Sequence, residues 1–319
     1  MQIVICCLVG LALASCGSGT GAPPARPATT AAAAAPAGAP SAELMAMMDD
    51  MHGRGSVPVE PFRVVGNIYY VGAAGVASYL IVTPDGNILL DTGTREMIPL
   101  VPASIAKLGF KLGDIKVLLS GHAHWDHVQG HAAIQRATGA KVMAMAGDAE
   151  ALESGTDEDG VEHWDPVHVD RVLHDGDTVA LGGTTLRAVW APGHTPGCTI
   201  WTTTVTDQGR PYSIAFYSCA GPAGDVQLID NPKLPNLVEQ SLATFHHLKQ
   251  LTPDIYLMMH AWDQFVSNPA RLATGATPHP LYDPHAWIQV LDEDEADLRQ
   301  RIAAERAKRA AAPSGAAAK

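Results

Sequence analysis

The chain has 319 residues, 47% of them apolar and 17% charged, which is enough apolar material for one sizeable catalytic domain. Its net charge of −12 leaves no basic stripe to neutralise phosphates. That excludes nucleic acid as a partner and makes solubility the plainest reason for the acidity.

Residues 3–13 form an apolar run too short to span a bilayer, as in an export signal. The run ends in Leu13-Ala14-Ser15-Cys16, which resembles a bacterial lipobox with Cys16 as the acylated residue. Ala12-Leu13-Ala14 also fits a cleavage site that would release a soluble protein, the second choice. The expected organisation is a signal peptide over 1–15, then the lipid-anchor cysteine and a disordered Ala/Pro-rich tether over 16–42. A folded domain over 43–312 and a disordered tail over 313–319 follow. Both export readings place the domain outside the inner membrane, and no later apolar run is long enough to cross a bilayer.

Met45, Met47, Met48 and Met51 read as a short helix packing on the domain, with a copper-binding Met box as the alternative. Strands are expected over 62–71, 77–83 and 88–91, the last two joined by a turn at 84–87. A helix over 98–108, a buried strand over 116–119, a helix over 128–138 and a strand over 141–145 come next. The acidic, polar stretch 155–169 reads as an exposed insertion. Several strands are expected over 171–190, and a hairpin joins 198–205 to 212–217. A helix over 235–251, a strand over 254–259 and a charged packing helix over 292–311, with Leu291, Leu298 and Ile302 as its apolar face, complete the chain. Strands and helices in this alternation predict an α/β fold with its site at the carboxyl ends of strands.

His122-Ala123-His124-Trp125-Asp126-His127 places four metal-competent side chains within six residues. Such groups crowd one another without gain unless they share a cation. Alternation along an extended segment points His122 and His124 the same way, so they can grip one ion while Asp126 and His127 face a second. Ligands that are histidines and a carboxylate, with no nearby cysteine, favour a hydrolytic site with an open water position. His194, in the tight loop 191–197, and His260, directly after a strand, are the further ligands expected. Asp91 at a strand end is either an orienting group for a ligand or a turn residue. Trp125 and Trp262 are candidates for an apolar substrate wall, with core packing as the alternative. Cys198 and Cys219 flank two adjacent strand candidates and either pair or stay as buried thiols.

The order of the H-x-H-x-D-H motif, Gly193-His194-Thr195-Pro196-Gly197 and a strand-terminal His260 resembles the metallo-β-lactamase superfamily over residues 62–262. Gly66-Asn67-Ile68-Tyr69-Tyr70-Val71-Gly72, Leu89-Leu90-Asp91-Thr92-Gly93 and 193–201 look most like class B β-lactamases of the third subclass. The resemblance implies an αβ/βα four-layer sandwich of mixed sheets with outer helices. It implies two zinc ions per chain, one on His122, His124 and His194 and the other on Asp126, His127 and His260. It also implies a Cys198–Cys219 disulfide, as in some members of that subclass. Superfamily relatives such as glyoxalase II carry a metal-bridging Asp in the segment matching 216–222, where this chain has no carboxylate. Serines that hold the substrate carboxylate in the subclass are replaced by Ala220 and Pro222.

The function expected is therefore zinc-dependent opening of β-lactam rings by a metal-activated hydroxide that Asp126 helps orient, giving antibiotic resistance. The alternatives are a lactone, thioester or ester hydrolase on the same scaffold, and a non-catalytic zinc-binding envelope lipoprotein. The expected setting is the periplasm, as a monomer anchored to the outer membrane through Cys16, with small-molecule substrates and no nucleic acid.

Overall fold

Neighbouring residues of the central strands face different cores, which explains why those strands read as unbroken apolar runs. Ile81, Leu90 and Leu119 enter one buried cluster, while Leu80, Leu89 and Leu118 enter another. The computed structural model describes residues 46, 49–157, 160, 163–224 and 226–311, without the side chains of Trp262 and Asp263. Among these residues two mixed sheets stack face to face. The seven-stranded sheet runs in sequence order: β1 (Phe62–Val65), β2 (Ile68–Tyr70), β3 (Tyr79–Thr83), β4 (Gly86–Leu90), β5 (Ile115–Leu119), β6 (Lys141–Met145) and β7 (Arg171–Leu173). Its first four strands pair antiparallel and the rest parallel. The five-stranded sheet has the order β12 (Ile255–Met258), β11 (Arg210–Tyr217), β10 (Thr199–Asp207), β9 (Thr184–Trp190) and β8 (Thr178–Leu181), with only β11 and β12 parallel.

Three cores fill three interlayer spaces. Tyr70, Tyr79, Trp201 and Phe216 dominate the space between the sheets. Helices α1 (Leu100–Lys107), α2 (Trp125–Val128), α3 (His131–Thr138) and α4 (Ala146–Ser154) cover the larger sheet through Val101, Ile105, Ile134 and Leu152. Helices α5 (Leu237–Leu248) and α6 (Ala286–Ala311) cover the smaller sheet through Phe245, Leu248, Trp287 and Leu291. This is the expected αβ/βα sandwich. No helix among the described residues is long and apolar enough to cross a membrane.

The structure differs from the sequence expectations in five places. The strand expected over 62–71 is a hairpin, β1 and β2, broken at Gly66. Gly66 has φ +56°, and a side chain there would come within 2.9 Å of Val205 Cβ. The helix expected over 128–138 starts only at His131, as α3, and is separated from the upstream turn α2 because the amides of Thr92 and Gly93 take the His127 carbonyl, at 2.8 and 3.1 Å, out of the helical ladder. Helix α4 has no counterpart in the sequence reading. The stretch 155–169 is not wholly exposed, since Trp164, Val167 and Val169 are buried in the helix-covered core of the larger sheet. Finally, α6 starts at Ala286, ahead of the expected 292, and so brings Trp287 into its core, where the indole donates to the Leu248 carbonyl at 2.9 Å. Met51 packs at the edge of the same core as α1, while Met45, Met47 and Met48 lie outside the described residues, as do Cys16, the tether and the tail.

Candidate metal centre

The carboxyl ends of β4, β5, β9 and β12 converge, and each delivers one part of the site. After β5, residues 122–124 stay extended, with His124 at φ −105° and ψ 155°, so both imidazoles point to one side and the intervening peptide to the other. The single turn of α2 then swings Asp126 and His127 into the same space. Gly193, at φ +140°, turns the chain after β9 against Ser241 Oγ, which a Cβ would meet at 2.8 Å, and so sets His194 opposite His124. His260 follows β12.

The side chains predicted from sequence meet here. Ligand atoms of His122, His124 and His194 lie within 4.8 Å of one another, and so do those of His122, Asp126 and His127. The ring of His124 comes within 3.1 Å of His194 Nε2, and the His122 and His194 rings are 4.6 Å apart. His260 Nε2 is 3.6 Å from Asp126 Oδ2, and its Nδ1 is 2.9 Å from the Gly75 carbonyl. A backbone oxygen on one ring nitrogen fixes the tautomer and turns the other nitrogen towards the site.

Asp91, fully buried, spans the base. Its Oδ1 accepts the Gly121 amide at 2.8 Å and its Oδ2 lies 2.7 Å from His127 Nδ1. Burial opposes protonation of His127, yet the charges of Asp126 and Asp91 outweigh it and push the pKa up to about 10. Burial alone would raise Asp126, but the charges of His127 and His260 hold it well below the usual carboxylate range. Burial, followed by the surrounding histidines, holds His122 well below the ordinary imidazole range and therefore neutral, the form that binds metal.

Whether these groups fit a metal is decided by their unmet hydrogen bonds. Both ring nitrogens of His122 and Nε2 of His127 are buried without a hydrogen-bond partner among the described residues. Buried polar atoms are ordinarily paired, and imidazole nitrogens facing a carboxylate make an open nitrogen–oxygen donor set suited to zinc. The residues present fit the ion.

The model of the Metallo-beta-lactamase superfamily matches residues 71–207. Native FEZ-1 metallo-beta-lactamase from Legionella gormanii has the same architecture, with a TM-score of 0.75 at 37% identity over 79% of this chain and 98% of that one. The chain belongs to the metallo-beta-lactamase superfamily. Its structural neighbours include BJP-1, a subclass B3 metallo-beta-lactamase of Bradyrhizobium japonicum. That enzyme has a TM-score of 0.74 and 35% identity over 81% of this chain and 99% of its own. A hydroxyacylglutathione hydrolase of Rhodospirillum rubrum is 34% identical over 97 residues, 30% of this chain. The chain spans only 31% of that relative's length.

Around this superfamily site the remaining candidates fall out unevenly. Ala220 and Pro222 line a cavity of about 290 Å³ together with His122, His194 and His260. Trp125 does not form a wall. It is buried in the core beneath α2 and stacks on His52 with centroids 4.5 Å apart. The Trp262 side chain lies outside the described residues. Cys198 and Cys219 are joined in a disulfide that ties the start of β10 to the end of β11, beside the loop of His194 and the wall. His131 is fully buried, with Nδ1 2.8 Å from Thr92 Oγ1, so it packs the interior. Sequence reasoning missed Ser218. It lines the same cavity, its hydroxyl is buried without a partner among the described residues, and it stands one residue past β11, nearer the strand than the positions inspected for serine.

Proposed function

We propose that the chain is a zinc-dependent β-lactam hydrolase holding two zinc ions, one on His122, His124 and His194 and one on Asp126, His127 and His260. The observation that carries this reading is extent. At 37% identity the superposition on the Legionella enzyme takes in 98% of that chain, whereas the sequence match to the Rhodospirillum hydrolase is local, over 97 residues.

Bound zinc would supply hydroxide near neutral pH and polarise the scissile carbonyl. Asp126 Oδ2, 3.3 Å from His127 Nε2 and 3.6 Å from His260 Nε2, stands where it can help hold a metal and, as a hydrogen-bond acceptor, orient an attacking water. Asp91 fixes the His127 ring, and Gly75 fixes His260. Ser218 is among the residues lining the cavity. A second reading, thioester hydrolysis, has the local likeness to hydroxyacylglutathione hydrolases in its favour. Six convergent ligands argue against a binder without turnover.

The export signal and Cys16 complete the proposal, as a monomeric periplasmic enzyme tethered to the outer membrane. The test is hydrolysis of a cephalosporin, a carbapenem and a glutathione thioester by the purified protein, with and without chelator. Zinc-dependent turnover confined to the β-lactams is the expected result. Turnover confined to the thioester would replace the first reading with the second.

A further inference from the structure

Helix α4 begins against the metal centre, and its third residue, Asp148, is 2% exposed with no basic side chain bonded to it. An aspartate in the first turn of a helix ordinarily interacts with its own helix. Here both carboxylate oxygens bond to two other loops. Oδ2 accepts the Ala123 amide at 2.8 Å and the Thr195 hydroxyl at 2.9 Å, and Oδ1 accepts the Gly197 amide at 2.7 Å. Ala123 lies between His122 and His124, and Thr195 follows His194. The first loop leaves β5 of the larger sheet and the second leaves β9 of the smaller one.

Two glycines admit this contact. A Cβ on Gly197 would sit 2.4 Å from the Asp148 nitrogen and 2.6 Å from its Cγ, and one on Gly147 would sit 2.4 Å from the Pro196 carbonyl. Helix start and ligand loop therefore meet backbone to backbone, and the carboxylate takes up the three donors at the junction. A fully buried carboxylate is costly unless its oxygens are bonded. Here the bonds go to the peptides that carry all three histidines of one metal group.

We propose that Asp148 is the positioning residue of the three-histidine metal group, a single carboxylate that holds the loops of both sheets in the register at which His122, His124 and His194 share one ion. This rests on the reading that those histidines bind zinc. Removing an outer partner of metal ligands lowers metal affinity about 10- to 100-fold, and Asn at 148 keeps the size while turning an NH2 group towards a donor.

The experiment measures zinc dissociation constants of the full chain by competition with a chromophoric chelator, together with the ligand-field spectrum of the cobalt-loaded protein. Asp148→Asn is expected to weaken the tighter zinc site about 10- to 100-fold and to alter the cobalt bands. Thr195→Val, which deletes one of the three bonds, is expected to move both in the same direction by less, and Thr195→Ser to restore them. Zinc affinity within twofold of the parent and an unchanged cobalt spectrum in Asp148→Asn would overturn the proposal, whatever the melting temperature. Should Asp148→Asn fail to fold, equal affinities for Thr195→Val and Thr195→Ser overturn it. A parent protein that binds no zinc, or whose binding survives His122→Ala, overturns instead the ligand assignment beneath it.

Discussion

The metal-ligand floor stands on strand ends, whereas the wall beside it, residues 219–223, and the stretch 226–230 are held from outside by one face of α6. Arg301, Glu305 and Arg309 recur every four residues and so project from one side of the helix. Arg301 donates to the Pro222 carbonyl at 2.8 Å and also to that of Ala223. Glu305 accepts the Leu228 and Ile229 amides at 2.8 and 3.1 Å, and Arg309 pairs with Asp230 at 2.7 Å. The floor is fixed by buried acceptors such as Asp91, and the wall by partly exposed side chains gripping backbone. On the proposed function, chemistry falls to the part held by buried bonds and substrate contact to the part whose shape a few polar bonds set.

The strongest way to break the floor is Asp126→Asn. Loss of a carboxylate that both holds a metal and orients the attacking water is expected to lower turnover by about 10²-fold or more, checked by steady-state kinetics together with zinc content. Retention of more than a tenth of the activity at parent zinc content would remove Asp126 from both roles. At the seam between floor and wall, replacing both Cys198 and Cys219 by Ser reopens a loop of 21 residues. By loop entropy this costs about 3 kcal/mol, or about 6 °C in Tm for a domain of this size, read by calorimetry.

Asp148 sharpens the floor by its pH response. Burial raises its pKa from 3.8 to about 6, against the bonds from Ala123, Thr195 and Gly197. The folded state thus binds the proton more tightly than the unfolded one. The contribution to stability is complete below the unfolded value of 3.8 and is lost as pH rises through 6. The stability gap between the metal-free parent and Asp148→Asn should shrink by about 2 kcal/mol from pH 4 to 7.5, and a gap flat with pH would discard burial as the cause. The smallest effect is expected at the wall. Arg301→Ala should raise KM about tenfold, a loss of one to two hydrogen bonds from a charged donor, while zinc content stays at the parent level. A fall in zinc content would mean that wall and floor are not separately held.

The floor was legible in the sequence because its chemistry is contiguous. His122, His124, Asp126 and His127 fall within six residues, and His194 and His260 each close a strand. The layers were legible from strand and helix order together with the resemblance. Asp148 was not legible, because a lone aspartate in a helix with few apolar positions carries no pattern until the loops at Ala123 and Gly197 fold over it. The break before α3 was hidden for a related reason, since the amides that claim the His127 carbonyl come from Thr92 and Gly93, more than thirty residues upstream. For Trp125 the sequence left wall and core open, because position within a motif says nothing of which way a ring faces once α2 forms, and the structure takes the core.

The Gly75 carbonyl that orients His260 is itself braced by the chain's entry into the fold. The Gly75 amide donates to Gly55 at 2.7 Å, the Ala74 amide to Val57 at 2.8 Å, and a Cβ on Gly75 would lie 2.8 Å from Gly55 Cα. This sets a limit on N-terminal trimming. Removal up to residue 48 spares these bonds, whereas removal through residue 57 frees the 73–76 loop and with it the imidazole that Gly75 aims. The entry of the chain into the fold and the orientation of the His260 ring are thus coupled through one short loop.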